Sequence, residues 1–89
     1  MRRVVREPQF DSDIKRLKRR HKDMDKLLTT VAILRRDGRL PVQFRPHKLS
    51  GDYDGQWECH IESDWLLTYE IYEDAVTLAR TGSHSDLFG

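Results

Sequence analysis

The sequence predicts an α+β fold, two N-terminal helices packed on a twisted antiparallel sheet in the order β-α-α-β-β-β. Three observations carry this. Apolar residues recur at helical spacing between residues 10 and 34. The spacing changes to two from Trp57 onward. A stretch punctuated by Pro41, Pro46, Gly51 and Gly55 separates the two regimes.

Arg2 to Arg6 reads as a short strand closed by Pro8. Phe10, Ile14, Leu17 and His21 then recur at i, i+4, i+7 and i+11, which predicts an amphipathic helix from about Asp11 to Arg20. Asp11 or Ser12 is suited to cap it, and Lys15, Arg16, Lys18, Arg19 and Arg20 fall on its other faces. After a tight connection, Asp23 can cap a second helix. Its apolar stripe is Met24, Leu27, Leu28, Val31 and Leu34, and Gly38 ends it in the left-handed conformation. The two helices make an αα-hairpin. Residues 39–55 have no periodicity, and a loop of this length in a small domain is often functional.

From Trp57 the strands follow. Trp57, Cys59 and Ile61 share one face, and Glu58, His60 and Glu62 the other. Residues 65–72 are apolar enough for a central strand. Glu73-Asp74 is a short turn, and Ala75 to Thr81 is the third strand of an antiparallel meander. Gly82 onward reads as a brief tail.

At 89 residues the chain is expected to be one domain, residues 1–89, with one modest core and a stability of ~5–10 kcal/mol. No apolar run approaches the ~20 residues of a membrane span, and no signal peptide is read at the N-terminus. The single cysteine, Cys59, allows no internal disulfide and suits a reducing cytoplasm. The net charge of +1 conceals a division. Residues 1–48 hold 15 Lys/Arg against 6 Asp/Glu, and residues 49–89 hold 1 against 9, nets of +9 and −8. The basic half is either a polyanion-binding surface or a solvated helical face.

Three of the four histidines lie in the second half of the chain: His47 in the loop, His60 on a polar strand face, His84 after the last strand. A meander can bring them to one end of the sheet. Histidine moves protons near neutral pH, and RNA carries its own nucleophile in the 2′-hydroxyl. Cleavage then needs a base, an acid for the leaving 5′-oxygen, and a cation for the phosphate. Arg80 is the only Lys/Arg after residue 48, although it can equally pair with a sheet carboxylate such as Glu70. Asp64 can orient an imidazole. Trp65 can stack on a base or belong to the core. His21 continues a helix stripe and is read as inert, and Cys59 as a small buried residue. Zinc is the rival chemistry, but the histidines lack short metal-ligand spacing and no Cys pair accompanies them.

The segments His47-Lys-Leu-Ser-Gly51, Trp57-Glu-Cys-His60-Ile, Asp64-Trp-Leu-Leu-Thr-Tyr69 and Arg80-Thr-Gly-Ser-His84-Ser-Asp-Leu-Phe88, with Arg20-His-Lys-Asp-Met24 between the helices, resemble the YafQ-type toxins. These belong to the RelE/ParE superfamily of bacterial type II toxin–antitoxin systems. The resemblance spans nearly the whole chain and implies a RelE-like fold. It also implies a ribosome-dependent mRNA endoribonuclease that cuts in the ribosomal A site without metal or cofactor. The implied partners are the ribosome, mRNA and a DinJ/RelB-like antitoxin with a DNA-binding N-terminus, operator DNA being reached only through that antitoxin; no membrane is implied.

By this resemblance the catalytic positions are His47, His60, Asp64 and His84. His84 would be the general acid, His47 or Asp64 the base, and His60 would orient or stabilise the phosphate. Arg80 would bind the scissile phosphate, Phe88 would position a base, and Trp65 would support the site. Lys15, Arg16, Lys18, Arg19, Arg20 and Lys22, with Arg35, Arg36 and Arg39, would meet ribosomal RNA or an acidic antitoxin segment. The competing expectation is a toxin of the same fold that blocks gyrase or the ribosome by occupancy alone.

Overall fold

The computed structural model describes residues 1–89. It contains β1 (Arg3–Arg6), α1 (Pro8–Arg19), α2 (Met24–Asp37), β2 (His47–Lys48), β3 (Trp57–Glu62), β4 (Trp65–Ile71), β5 (Ala75–Gly82) and α3 (His84–Phe88). The strands form one five-stranded sheet in the order β1-β5-β4-β3-β2. The α+β class and the meander β3-β4-β5 are as the sequence predicts.

Four details differ. The sheet is mixed, because β1 runs parallel to β5, with Arg3 opposite Ala75 and Arg6 opposite Leu78. The αα-hairpin is the crossover that returns the chain to this edge, and a crossover connection permits parallel pairing. Within residues 39–55, His47–Lys48 adds a short antiparallel strand against β3. Helix α1 begins earlier than the caps Asp11 or Ser12 imply: Glu7 is its N-cap and Pro8 its first residue, where the missing proline N–H costs no helical bond. The C-terminal tail is a short helix, α3.

Helix α2 starts and stops where expected. The Asp23 side chain accepts from the Asp25 amide, and Gly38 takes the left-handed conformation at φ 71°. His21 does not extend the stripe of α1. It is exposed in the connection, at φ 61°. Leu28 is also outside the core, 63% exposed.

The core lies between the helix pair and one sheet face. Phe10 and Leu17 of α1 and Leu27 and Leu34 of α2 meet Cys59, Leu67, Tyr69, Val76 and Leu78. Burial pushes the Cys59 thiol up to about 12, so it stays protonated and inert.

Helix α1 is tied to the sheet by one carboxylate. Asp13 is 1% exposed and sits where β1 has ended and the outer edge of β5 is unpaired. It accepts from the Thr81 amide at 3.0 Å, from Arg80 Nε at 2.8 Å and Nη2 at 3.1 Å, and from Arg16 Nη2 at 2.6 Å. Burial alone would raise the Asp13 pKa, but the bonds from Arg80, Thr81 and Arg16 outweigh it and hold the carboxyl below its usual range. Hydrogen bonding from Arg20 likewise lowers Asp86.

A group with a depressed folded-state pKa contributes stability above its unfolded value of 3.8 and loses it as pH falls toward the folded value. The fold should therefore weaken progressively in chemical unfolding below about pH 4. Asp13→Ala, which leaves Arg80 and the Thr81 amide without their acceptor, should cost about 3–5 kcal/mol in the same measurement at neutral pH.

Candidate active site

The sheet face turned away from α1 and α2 carries the site. Residues directly opposite in an antiparallel ladder share a face. By that rule His47, Glu58, Thr68 and Arg80 form one row across β2, β3, β4 and β5. His60 lies two residues beyond Glu58 on the same strand and face, just before the bulge that ends β3. Helix α3, which packs on β5, places His84 at its first turn.

The two strand-borne imidazoles share a neighbour. Arg45 Nη2 lies 3.2 Å from His60 Nδ1, and the Arg45 carbonyl oxygen lies 3.2 Å from His47 Nδ1. The Ser63 carbonyl oxygen is also 3.2 Å from His60 Nδ1. The two contacts of that nitrogen belong to opposite tautomers: with a proton it donates to Ser63, and without one it accepts from Arg45. His47 Nε2 faces Glu58 Oε1 at 3.3 Å.

His84 is placed by backbone, not by its ring. Its amide donates to Asp64 Oδ1 at 2.9 Å, which ties the start of α3 to the turn between β3 and β4. Ser83 and Asp86 form a reciprocal capping box at the same helix end. Gly82 permits it, because a Cβ there would stand 2.8 Å from Asp86 Oδ2. The His84 ring lies against Phe88 with centroids 5.2 Å apart, and Phe88 meets Tyr53 edge-on at 5.6 Å. Phe88 and Tyr53 are 37% and 45% exposed, so this aromatic pair has surface open to a ligand.

Other predicted site residues are placed less directly. Arg80 pairs with Asp13 of α1 rather than with Glu70, because it reaches round the sheet edge that β1 leaves open. Nε and Nη2 bond Asp13, and no hydrogen bond engages Nη1. Trp65 is 1% exposed, and its Nε1 donates to Thr81 Oγ1 at 2.9 Å, so neither ring face is free to stack on a base. It props the site from the core side.

Among the basic residues, Arg16 and Arg20 pair with Asp86, and Lys22 with Glu62. Lys15, Lys18 and Arg19 are exposed and take part in no ion pair. The sequence reading missed Arg45, Glu58, Tyr53 and Asp13. The register of β2 on β3 exposes the first two, and only the fold links Tyr53 to Phe88 or Asp13 to Arg80. No group of three or more His, Cys, Asp or Glu side chains is arranged to hold a metal ion.

Comparison with known proteins gives this arrangement a family. The family described as bacterial toxin of type II toxin-antitoxin system, YafQ, matches residues 2–89. The chain belongs to the YafQ family. The mRNA interferase toxin YafQ of Escherichia coli strain K12 is 37% identical over 82 residues, covering 91% of this chain and 89% of that protein. A crystal structure of YafQ from Escherichia coli strain BL21(DE3) matches with a TM-score of 0.92 at 33% identity, and a crystal structure of the Escherichia coli DinJ-YafQ complex with 0.90 at 34%, each covering 100% of both chains. The resemblance read from the histidine, tryptophan and C-terminal segments therefore holds for the whole YafQ fold, helix pair and sheet together.

The placement of Trp65 is open to test. Trp65→Phe keeps the packing and removes the bond to Thr81. It should lower stability by about 1–2 kcal/mol in thermal unfolding, with the KM for any RNA substrate unchanged. A KM rise without loss of stability would return Trp65 to the substrate surface.

Proposed function

We propose that this toxin is a ribosome-dependent mRNA endoribonuclease acting by metal-independent acid–base catalysis. The observation that supports the reading is that His47 and His60 meet about Arg45 on one sheet face, while the His84 amide is held to Asp64 in the turn that follows the His60 strand. The K12 relative's name, mRNA interferase toxin, supports the substrate.

In this reading the 2′-oxygen attacks phosphorus and the bond to the 5′-oxygen breaks, leaving a cyclic 2′,3′-phosphate and a 5′-hydroxyl. A base among the strand histidines takes the 2′-proton. His84 gives a proton to the departing 5′-oxygen; its ring nitrogens make no hydrogen bond within the protein, so the leaving group can be their first partner. Asp64 holds the start of α3, and with it His84, instead of serving as the base. Arg80 offers Nη1 to the scissile phosphate from a guanidinium fixed by Asp13. Phe88, with Tyr53, receives a neighbouring base. Lys15, Lys18 and Arg19 meet ribosomal RNA phosphates, and Arg16, Arg20 and Lys22 add to the same basic field from within their ion pairs.

An antitoxin completes the system, as the DinJ-YafQ complex supports. Its docking surface is the apolar groove between α1, α2 and β1, lined by Val4, Ile14, Met24, Leu28 and Val31 and rimmed by Arg6, Lys18 and Arg35. An apolar floor with a cationic rim suits an acidic amphipathic segment. The groove adjoins β1, whose outer edge is unpaired. No helix is long and apolar enough to cross a membrane, and the site of action is the cytoplasm, where ribosomes and mRNA are.

Two measurements test this. Mapping of mRNA ends after induction should show cuts inside codons of translated messages, lost with His84→Ala by roughly 100-fold or more. Growth arrest with intact messages would instead favour inhibition by occupancy. Leu28→Glu should weaken antitoxin binding at least about tenfold by placing a carboxylate on the groove floor, with cleavage unchanged. Undiminished binding would remove the groove from the interface.

A further inference from the structure

Arg45 stands where the two strand histidines meet, and it has no role so far. Its Nη2 lies 3.2 Å from His60 Nδ1, and its own carbonyl oxygen lies 3.2 Å from His47 Nδ1. No other lysine or arginine comes within hydrogen-bonding distance of a site histidine. Arg45 is exposed and forms no ion pair, so no carboxylate of the protein neutralises it. Its contact with His60 is a replaceable one. When His60 Nδ1 carries a proton for the Ser63 carbonyl, it has no lone pair to offer a guanidinium. Most of the N–H donors of Arg45 thus have no acceptor in the protein.

The backbone holds the residue there at a cost. Arg45 has φ 49° and ψ 51°, the left-handed conformation, and His21 is the only other non-glycine residue with positive φ. Side chains with a Cβ seldom adopt it, because Cβ crowds the carbonyl that follows. The preceding turn, Val42–Phe44, imposes it: the Arg45 amide donates to the Val42 carbonyl at 2.9 Å. Glycine would take this backbone freely and still present a carbonyl to His47. An arginine at a position that favours glycine points to a use for its side chain.

Arg80 cannot fill the same place. Its Nε and Nη2 are bound to Asp13 at the outer edge of β5, three strands from β2, so it has one nitrogen to offer a substrate. Arg45 can present two parallel N–H groups, the fork that matches two phosphate oxygens.

We propose that Arg45 is a catalytic residue, the guanidinium that holds the scissile phosphate against His47 and His60. The inference rests on the endoribonuclease reading and deepens it, by adding to Arg80 a second cation on the side of the site where the 2′-oxygen loses its proton. As the 2′-oxygen bonds to phosphorus and the 5′-oxygen departs, negative charge gathers on the non-bridging oxygens. Arg45 donates to them and transfers no proton. The 2′-proton goes to the strand histidine and the 5′-oxygen takes its proton from His84. Such bonds strengthen as the charge builds, so their loss falls on kcat more than on KM.

Cleavage of a defined message on purified ribosomes tests this. Arg45→Gly keeps the backbone and the carbonyl toward His47 and removes the guanidinium; Arg45→Asn, which also tolerates the left-handed conformation, is the second variant. Each should lower kcat roughly 100-fold or more and change KM less than about threefold, with thermal unfolding as in the wild type. Guanidinium ion added to Arg45→Gly should restore kcat at least about tenfold, and sodium at equal ionic strength should not, a rescue that a merely structural role does not give. An unchanged kcat in both variants, with or without a rise in KM, or a folded Arg45→Gly that guanidinium does not rescue, overturns the proposal alone. A wild type that cuts no message overturns the endoribonuclease reading and the proposal with it.

Discussion

The buried carboxylate of Asp13 joins the helical half of the chain to the strands that carry the site. It closes the open edge of β5 through the Thr81 amide, orients Arg80 through two bonds, and draws Arg16 inward. The connection continues beyond it. Arg16 also approaches Asp86, which Arg20 grips through both oxygens, and Asp86 caps α3. Asp64 holds the same helix end through the His84 amide. The position of His84 thus depends on a charge network rooted in α1, far away in sequence, and α3 is too short to form without it.

This network explains why the division of charge along the chain is not simply a binding surface. The basic first half and the acidic second half meet at three places: Arg80 with Asp13, Arg16 and Arg20 with Asp86, and Lys22 and Lys26 with Glu62. The pair at Asp13 is inverted, with the carboxylate on the helix and the cation on the sheet. Such pairing specifies how the helices sit on the sheet more than it adds net stability, since desolvation offsets much of the attraction between buried charges. Of the α1 cations, Lys15, Lys18 and Arg19 are not used in this way, and at i, i+3 and i+4 they share one helix face.

What the sequence revealed and what it hid divide along physical lines. Helix α2 and strands β3, β4 and β5 were legible because each announces itself locally, by an Asp cap, a left-handed glycine and a change of period from 3.6 to 2. The parallel pairing of β1 was not, since nothing in Arg3–Arg6 says which edge it will join. Strand β2 is two residues long and exists only through its register on β3. Among site residues the histidines stood out by chemistry alone. Glu58 did not, because on an alternating strand a glutamate facing away from the core reads as solvated, and here it is buried. Trp65 reads equally well as core or platform until its indole finds Thr81.

In the proposed reaction the three histidines serve different steps. The His47 ring lies between the Arg45 carbonyl and the Glu58 carboxylate, the His60 ring meets both the Arg45 guanidinium and the Ser63 carbonyl, and the His84 ring makes no hydrogen bond in the protein. Roles in acid–base catalysis follow from such differences in surroundings rather than from residue identity. Here the surroundings are set by the register of β2 on β3, by the Ser63 carbonyl after β3, and by the capped start of α3. In the proposed mechanism these three environments divide the work of base, phosphate partner and acid, with the RNA's own hydroxyl as nucleophile.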